Sequence, residues 1–247
     1  MLNFIWTDLL TKPIFNLLVF LDYYTGNLGI SIILLTLILK TLLFPTNIPN
    51  IKMSSKKGDL DEELRKLKEK YTDKSVLAQK QMEIYKKHGI NPASGCLPNI
   101  LQFLVLIALY RVFINTLHNG LDNGLFYFKF LENASLNLKF LYLDLSKPDP
   151  LYILPVLAGI VQFVLSKSLL PTAKKVQKIA EKTPSQTDDV MSNMQEQMIY
   201  IAPIMTVFIG ATLPSGLALY WFISSLYSFL QTYLLKRFYT NRNIKKD

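Results

Sequence analysis

The side chains able to do chemistry in this chain sit where they are costly. Lys40 interrupts the apolar run "GISIILLTLILKTLLFP", Gly29 to Pro45, and insertion scales put an ammonium near the centre of a membrane helix at about 2.5 to 3.5 kcal/mol. Thr36 lies four residues earlier, on the same helical face. Asn99 and Gln102 share a face of a second apolar run, Gln162 lies midway along a third, and Tyr220 and Trp221 lie in the outer part of the last. An ammonium, carboxamides and hydroxyls of this kind hold water, anions or a polar chain; they do not break bonds. Several of them on different apolar runs suggest a shared hydrated cavity. Each also has a plainer reading: Lys40 can snorkel past Pro45 to the headgroups, the glutamines can bond across a helix bundle, and Tyr220 and Trp221 can be interfacial anchors.

Catalytic patterns are lacking. The sequence has no phosphate-binding glycine loop, no HExxH and no cluster of His, Cys and carboxylates at metal-ligand spacing. Ser215-Gly216 resembles the nucleophile of an intramembrane protease only superficially, because the two histidines, His88 and His118, lie outside the apolar runs. The expectation is a protein that is not an enzyme and needs neither metal nor cofactor. The single cysteine, Cys96, rules out an intramolecular disulfide.

The elements that must position these groups are membrane helices. Half of the 247 residues are hydrophobic, mean hydropathy is +0.24, and the apolar residues gather in long runs, as in a polytopic membrane protein. Five spans are expected, over 28–44, 97–117, 151–170, 198–213 and 217–235. The first and fourth reach only about 24 to 26 Å, short of a ~30 Å hydrocarbon core. Met1 to Tyr24 reads as a helix lying in the interface, not as a secretory signal or lipoprotein anchor.

Basic residues set the orientation. Residues 46–96 hold eleven Lys and Arg; Lys174, Lys175, Lys178 and Lys182 follow the third span; the tail, 236–247, adds Lys236, Arg237, Arg242, Lys245 and Lys246. All belong on the cytoplasmic side, which places the N-terminus outside and the C-terminus in the cytoplasm. Within the first cytoplasmic loop, residues 50–89 read as a charged helical hairpin, with Asp73 capping its second helix and Gly89 and Pro92 as stop signals.

Four blocks in order, "GNLGISIILLTLILKTLLFP" (Gly26 to Pro45), "NPASGCLPNILQFLVLIALY" (Asn91 to Tyr110), "DPLYILPVLAGIVQF" (Asp149 to Phe163) and "PSGLALYWFISSLYSFLQ" (Pro214 to Gln231), resemble the YidC family of membrane-protein insertases. The resemblance covers about Gly26 to Leu235. It implies an all-α membrane protein of five transmembrane helices around a hydrophilic groove open to the cytoplasm and lipid, in a bacterial plasma membrane. It further implies that Lys40 is the groove base, that Thr36, Asn99, Gln102, Gln162 and Trp221 line the groove, and that Tyr220 adjoins the substrate path. The implied partners are nascent membrane proteins and the lipid bilayer, with the ribosome, through the basic tail and cytoplasmic loops, and the Sec translocon as further candidates. The implied action is ATP-independent insertion and chaperoning of membrane proteins.

Departures from the family pattern are specific. Lys40 stands where Arg is usual, Ser225 stands where Asn is usual, and the large extracytoplasmic domain of many Gram-negative members has no counterpart, which reads as a minimal form. A rival of another class is a small secondary transporter binding an anionic solute through Lys40 and the glutamines; such transporters commonly carry paired internal repeats, and none is evident.

Overall fold

The turn Thr25-Gly26-Asn27 shows how local chemistry sets the helix boundaries. Gly26 adopts φ +64°, the left-handed conformation that closes helix α1 (Lys12–Thr25). Asn27 then caps α2 (Leu28–Leu42), its side chain accepting from the backbone N–H of Gly29 and Ile30 at 3.0 and 3.2 Å. The structure is a computed structural model and describes residues 5–55, 57–71, 73–89, 97–119, 126–131, 136–169 and 186–244. The sequence readings made for Cys96, for Lys174 to Lys182 and for Lys245 and Lys246 lie outside the described residues.

A π-helical turn, Ile5–Thr11, leads into α1. Beyond α2, a break at Leu43 starts α3 (Phe44–Ser55), and α4 (Lys57–Lys70) and α5 (Lys74–Lys87) form an antiparallel pair. Asp73 caps α5 through the backbone N–H of Ser75 and Val76 at 2.8 and 3.2 Å, and Lys87 donates to Glu63 at 3.3 Å across the pair. Then follow α6 (Leu97–Asn119), α7 (Ile153–Leu169), α8 (Gln186–Thr212) and α9 (Ser215–Ile244). A two-stranded ladder, β1 (Lys139–Phe140) with β2 (Leu143–Asp144), is a small addition to the helical fold.

Helix α9 is the spine. Helices α2, α6 and α7 each approach it more closely than they approach one another, and α8 packs chiefly on α7. One apolar cluster joins Phe15 and Val19 of α1, Ile32 and Leu35 of α2, Ala108 and Leu109 of α6, and Leu217 and Ala218 of α9. Residues 136–149 bind the N-terminal ends of α2, α7 and α9 together. The Leu28 N–H donates to the Asn137 carbonyl at 3.2 Å, the Ser215 hydroxyl to the Asp144 carbonyl at 2.8 Å, and the Gly216 N–H to the Leu145 carbonyl at 3.1 Å. Buried Asp149 caps α7 by accepting from the N–H of Leu154 at 2.8 Å. The three helices therefore start at one end of the molecule and run the same way.

Several boundaries differ from the sequence reading. Helix α2 stops at Leu42, before the expected 44, because Leu43 breaks the geometry ahead of Pro45. Helix α8 begins at Gln186, well before 198, and α9 continues to Ile244, so residues 236–244, read as a tail, extend the last helix. Lys236 anchors that extension by donating to the Ser168 carbonyl at the C-terminal end of α7.

Among the described residues, no helix is long and apolar enough to cross a membrane. The five runs expected as spans each coincide largely with a helix, α2, α6, α7, α8 and α9, but none of these combines that length with that apolarity. Helices α2 and α7, of 15 and 17 residues, rise only about 22 and 26 Å, and α9 is diluted by Tyr220, Trp221, Ser224, Ser225, Ser228 and Gln231. The surface is nevertheless rich in apolar side chains: Ile153, Val156, Leu157, Ile160 and Val164 of α7 and Tyr200, Ile201, Ile204, Met205 and Phe208 of α8 are all exposed.

Candidate functional site: a polar stripe on helix α9

Ser224, Ser228 and Gln231 recur at spacings of four and three residues, so they rise along one face of α9. Each takes its partner from a different element. The Ser224 hydroxyl donates to Gln102 Oε1 of α6 at 2.7 Å, Lys40 Nζ of α2 donates to the Ser228 hydroxyl at 3.0 Å, and Asn47 Nδ2 of α3 donates to Gln231 Oε1 at 3.2 Å. Beside this row, Ser225 donates to Gln162 Oε1 of α7 at 3.4 Å, and the hydroxyls of Thr41 and Tyr227 lie 3.0 Å apart. Four helices thus bring their polar groups to the spine.

Small hydroxyls suit this position. Serine lets helices approach closely and still gives a donor and an acceptor to a carboxamide or ammonium. Ser225 meets Gln162 and keeps a polar link between α7 and α9. Lys40 has no carboxylate within ion-pair distance among the described residues. Its charge is therefore held by a neutral hydroxyl, and no described carboxylate neutralises it.

The sequence-derived candidates divide. Lys40, Gln102 and Gln162 meet on the stripe, and Tyr220, only 2 % exposed, adjoins Gln102 and Ser224. Thr36 is fully buried and donates to the Ile32 carbonyl at 2.6 Å, so its hydroxyl is satisfied within α2. Trp221 packs edge-to-face on Phe103, with centroids 6.3 Å apart, at the rim of the apolar cluster. The side chain of Asn99 lies outside the described residues. Ser224, Ser228, Gln231, Asn47, Thr41 and Tyr227 were not singled out by sequence reasoning. The signal for the α9 residues was the four-and-three spacing inside "SSLYSFLQ".

A hydroxyl-bearing spine, one ammonium held by a hydroxyl and two glutamines give a site suited to a polar or anionic chain. No group of three or more His, Cys, Asp or Glu positioned for a metal occurs among the described residues.

Residues 20–243 match the model of the family described as the 60Kd inner membrane protein. The chain belongs to the YidC family. It is 36% identical over 217 residues to a membrane protein insertase YidC of Fusobacterium nucleatum, covering 87% of this chain and 89% of that relative. It is 31% identical over 237 residues to the membrane protein insertase MisCA of Bacillus subtilis, covering 94% and 79%. With a membrane protein insertase YidC of Campylobacter jejuni it shares 32% identity over 242 residues, which is 98% of this chain but 40% of the relative. The stripe on α9 falls within the matched region of the family model, and so do all four sequence blocks that carry the YidC resemblance.

Proposed function

We propose that this YidC-family protein is a membrane-protein insertase and chaperone, working without ATP in a bacterial plasma membrane. Helices α2, α6, α7, α8 and α9 cross the bilayer, with the N-terminus outside and the C-terminus in the cytoplasm. The observation that carries the reading is the Lys40 ammonium, held on Ser228 with no carboxylate partner among the described residues, on the helix whose Ser224 and Ser225 take the amides of Gln102 and Gln162. The relatives in Fusobacterium nucleatum and Bacillus subtilis, both membrane protein insertases by name, point the same way.

The physical task is to carry the polar tail of a client past hydrocarbon. A water-filled groove along the α9 stripe shortens the dry path, and short helices thin the bilayer beside it. Lys40 attracts acidic residues in the tail with about 1 to 4 kcal/mol at 4 Å, for effective dielectrics between 80 and 20. Neutral partners on the stripe keep that attraction reversible, because Lys40 returns to the Ser228 hydroxyl when the tail leaves. The client's apolar helix then partitions into lipid along the exposed faces of α7 and α9. No bond is made or broken, and nascent membrane proteins are the partners. The basic end of α9 and the α4–α5 pair are the candidate ribosome contacts, and the Sec translocon is a candidate neighbour.

The test is insertion into liposomes containing only this protein, scored by protease protection of a single-span client with a short acidic N-terminal tail. Lys40→Ala should lower the rate about tenfold, as loss of 1.4 kcal/mol predicts. Folded wild-type protein giving no insertion above protein-free liposomes would overturn the reading.

A further inference from the structure

The amide of Gln231 is used on one edge only. Its Oε1 accepts from Asn47, while Nε2 is buried and has no partner among the described residues; the residue is 8% exposed. An unpartnered buried amide group is costly, since neither water nor protein replaces the lost hydrogen bond. Asn47, the residue that covers it, belongs to α3, which packs on α9, α7 and α6 at the end of the stripe beyond Lys40. Helix α3 is joined to α2 through the break at Leu43 and carries Pro49 within its turns. It is thus a short strap at the end of the polar stripe, carrying the buried Ile51 and linked to the spine by the Asn47–Gln231 side-chain hydrogen bond.

We propose that Gln231 is a docking point for the main chain of the incoming polypeptide, covered in the resting protein by Asn47 of α3. The inference rests on the insertase reading and adds to it a recognition site that does not depend on charge. A carboxamide offers one donor and one acceptor, the same pair that a peptide group offers, so Gln231 can bind a client backbone of any sequence. Lys40, whose partner Ser228 lies just under one turn from Gln231 on α9, reads acidic side chains. When α3 lifts, both edges of the Gln231 amide become available and the unpartnered donor gains an acceptor. The strap therefore leaves the spine most readily when a client takes the place of Asn47.

The experiment uses the full chain in liposomes and two clients differing only in the tail, one acidic and one of neutral Ser and Gln. Wild type is compared with Asn47→Leu, Gln231→Leu, the double variant and Lys40→Ala, with thermal stability and hydrogen exchange of α3 measured on each. Gln231→Leu should slow both clients by the same factor, roughly threefold for the loss of one ordinary hydrogen bond, whereas Lys40→Ala should slow mainly the acidic one. Asn47→Leu should speed exchange in α3 and raise the insertion rate of both clients, and the double variant should match Gln231→Leu alone. Insertion by wild type with Asn47→Leu and Gln231→Leu equally slow and equally unstable would make the pair a structural strut and overturn the inference. An effect of Gln231→Leu confined to the acidic client would overturn it as well. Failure of wild type to insert either client would instead count against the insertase reading.

Discussion

At the scale of single residues, Lys40 and Asp22 both stand where charge is costly, and the two behave differently. Lys40 has a hydroxyl partner and an expected anionic client. Replacing it with Arg preserves a permanent charge and adds donors able to grip a carboxylate on two sides. Lys40→Arg should therefore retain insertion of an acidic-tailed client within about threefold of wild type, whereas Lys40→Ala loses about tenfold. Equal losses in the two variants would show that packing, not charge, is what the position supplies. Asp22 has no such partner. It is 2% exposed near the C-terminal end of α1, Oδ1 is unpartnered, and burial pushes its carboxyl up from 3.8 to about 6. Between those two values the folded chain holds a proton that the unfolded chain has released, so stability falls as pH rises from about 4 to about 6 and the full penalty is present above that. Asp22→Asn should raise the unfolding temperature at pH 7.5, leave it nearly unchanged at pH 4, and flatten the dependence between. A thermal melt series in detergent across this range reads it directly, and a variant less stable at pH 7.5 would contradict the assignment.

At the scale of elements, close approach decides what can be changed. A Cβ on Gly216 would run into the ring of Phe113 and approach the Leu145 carbonyl, and one on Gly29 would run into the ring of Phe140. Both glycines lie at the end where residues 136–149 hold α2 and α9 together. Gly216→Ala should destabilise by about 1 to 3 kcal/mol, the usual cost of overpacking, seen as a lower melting temperature; restoration by Phe113→Leu would identify the clash. The elements also show how far sequence reasoning reaches. Lys40, Gln102 and Gln162 were legible because each is a large polar group inside an apolar run. The serines that receive them were not, because serine is small and frequent in membrane helices, and only its pairing with a side chain from another helix distinguishes a stripe from packing. Thr36 shows the converse. Its spacing puts it on the face of Lys40, yet a threonine hydroxyl in a helix reaches the carbonyl one turn back, and here it bonds Ile32. Asn47 was missed for another reason: two prolines surround it, at 45 and 49, and the segment reads as the start of a loop, although both prolines are accommodated in the helical turns of α3.

At the scale of the whole molecule, helix lengths set the terms on which the protein meets a bilayer. Helices α2, α7 and α9 start at the end closed by residues 136–149, and the α4–α5 pair lies after the opposite end of α2. With the Lys-rich segments in the cytoplasm, a cysteine replacing exposed Tyr142 in a Cys96→Ser background should react with an impermeant maleimide from outside, and one replacing Met82 only after permeabilisation. The reverse pattern would invert the orientation. Helix α2, at about 22 Å, is roughly 8 Å shorter than a typical hydrocarbon core, and mismatch costs fractions of a kcal/mol per Å. Lys40 sits in its last turn, so a bilayer thin enough to match α2 also brings the ammonium nearer to water. In a thick bilayer the membrane must thin locally or α2 must sink, and both load the helix that carries the charge. Insertion of an acidic-tailed client should therefore be faster in vesicles of shorter acyl chains than in longer ones, with the dependence on chain length reduced in Lys40→Ala. A rate that rises steadily with bilayer thickness would mean that the short helix is shielded from lipid by its neighbours and that thinning plays no part in carrying the tail across.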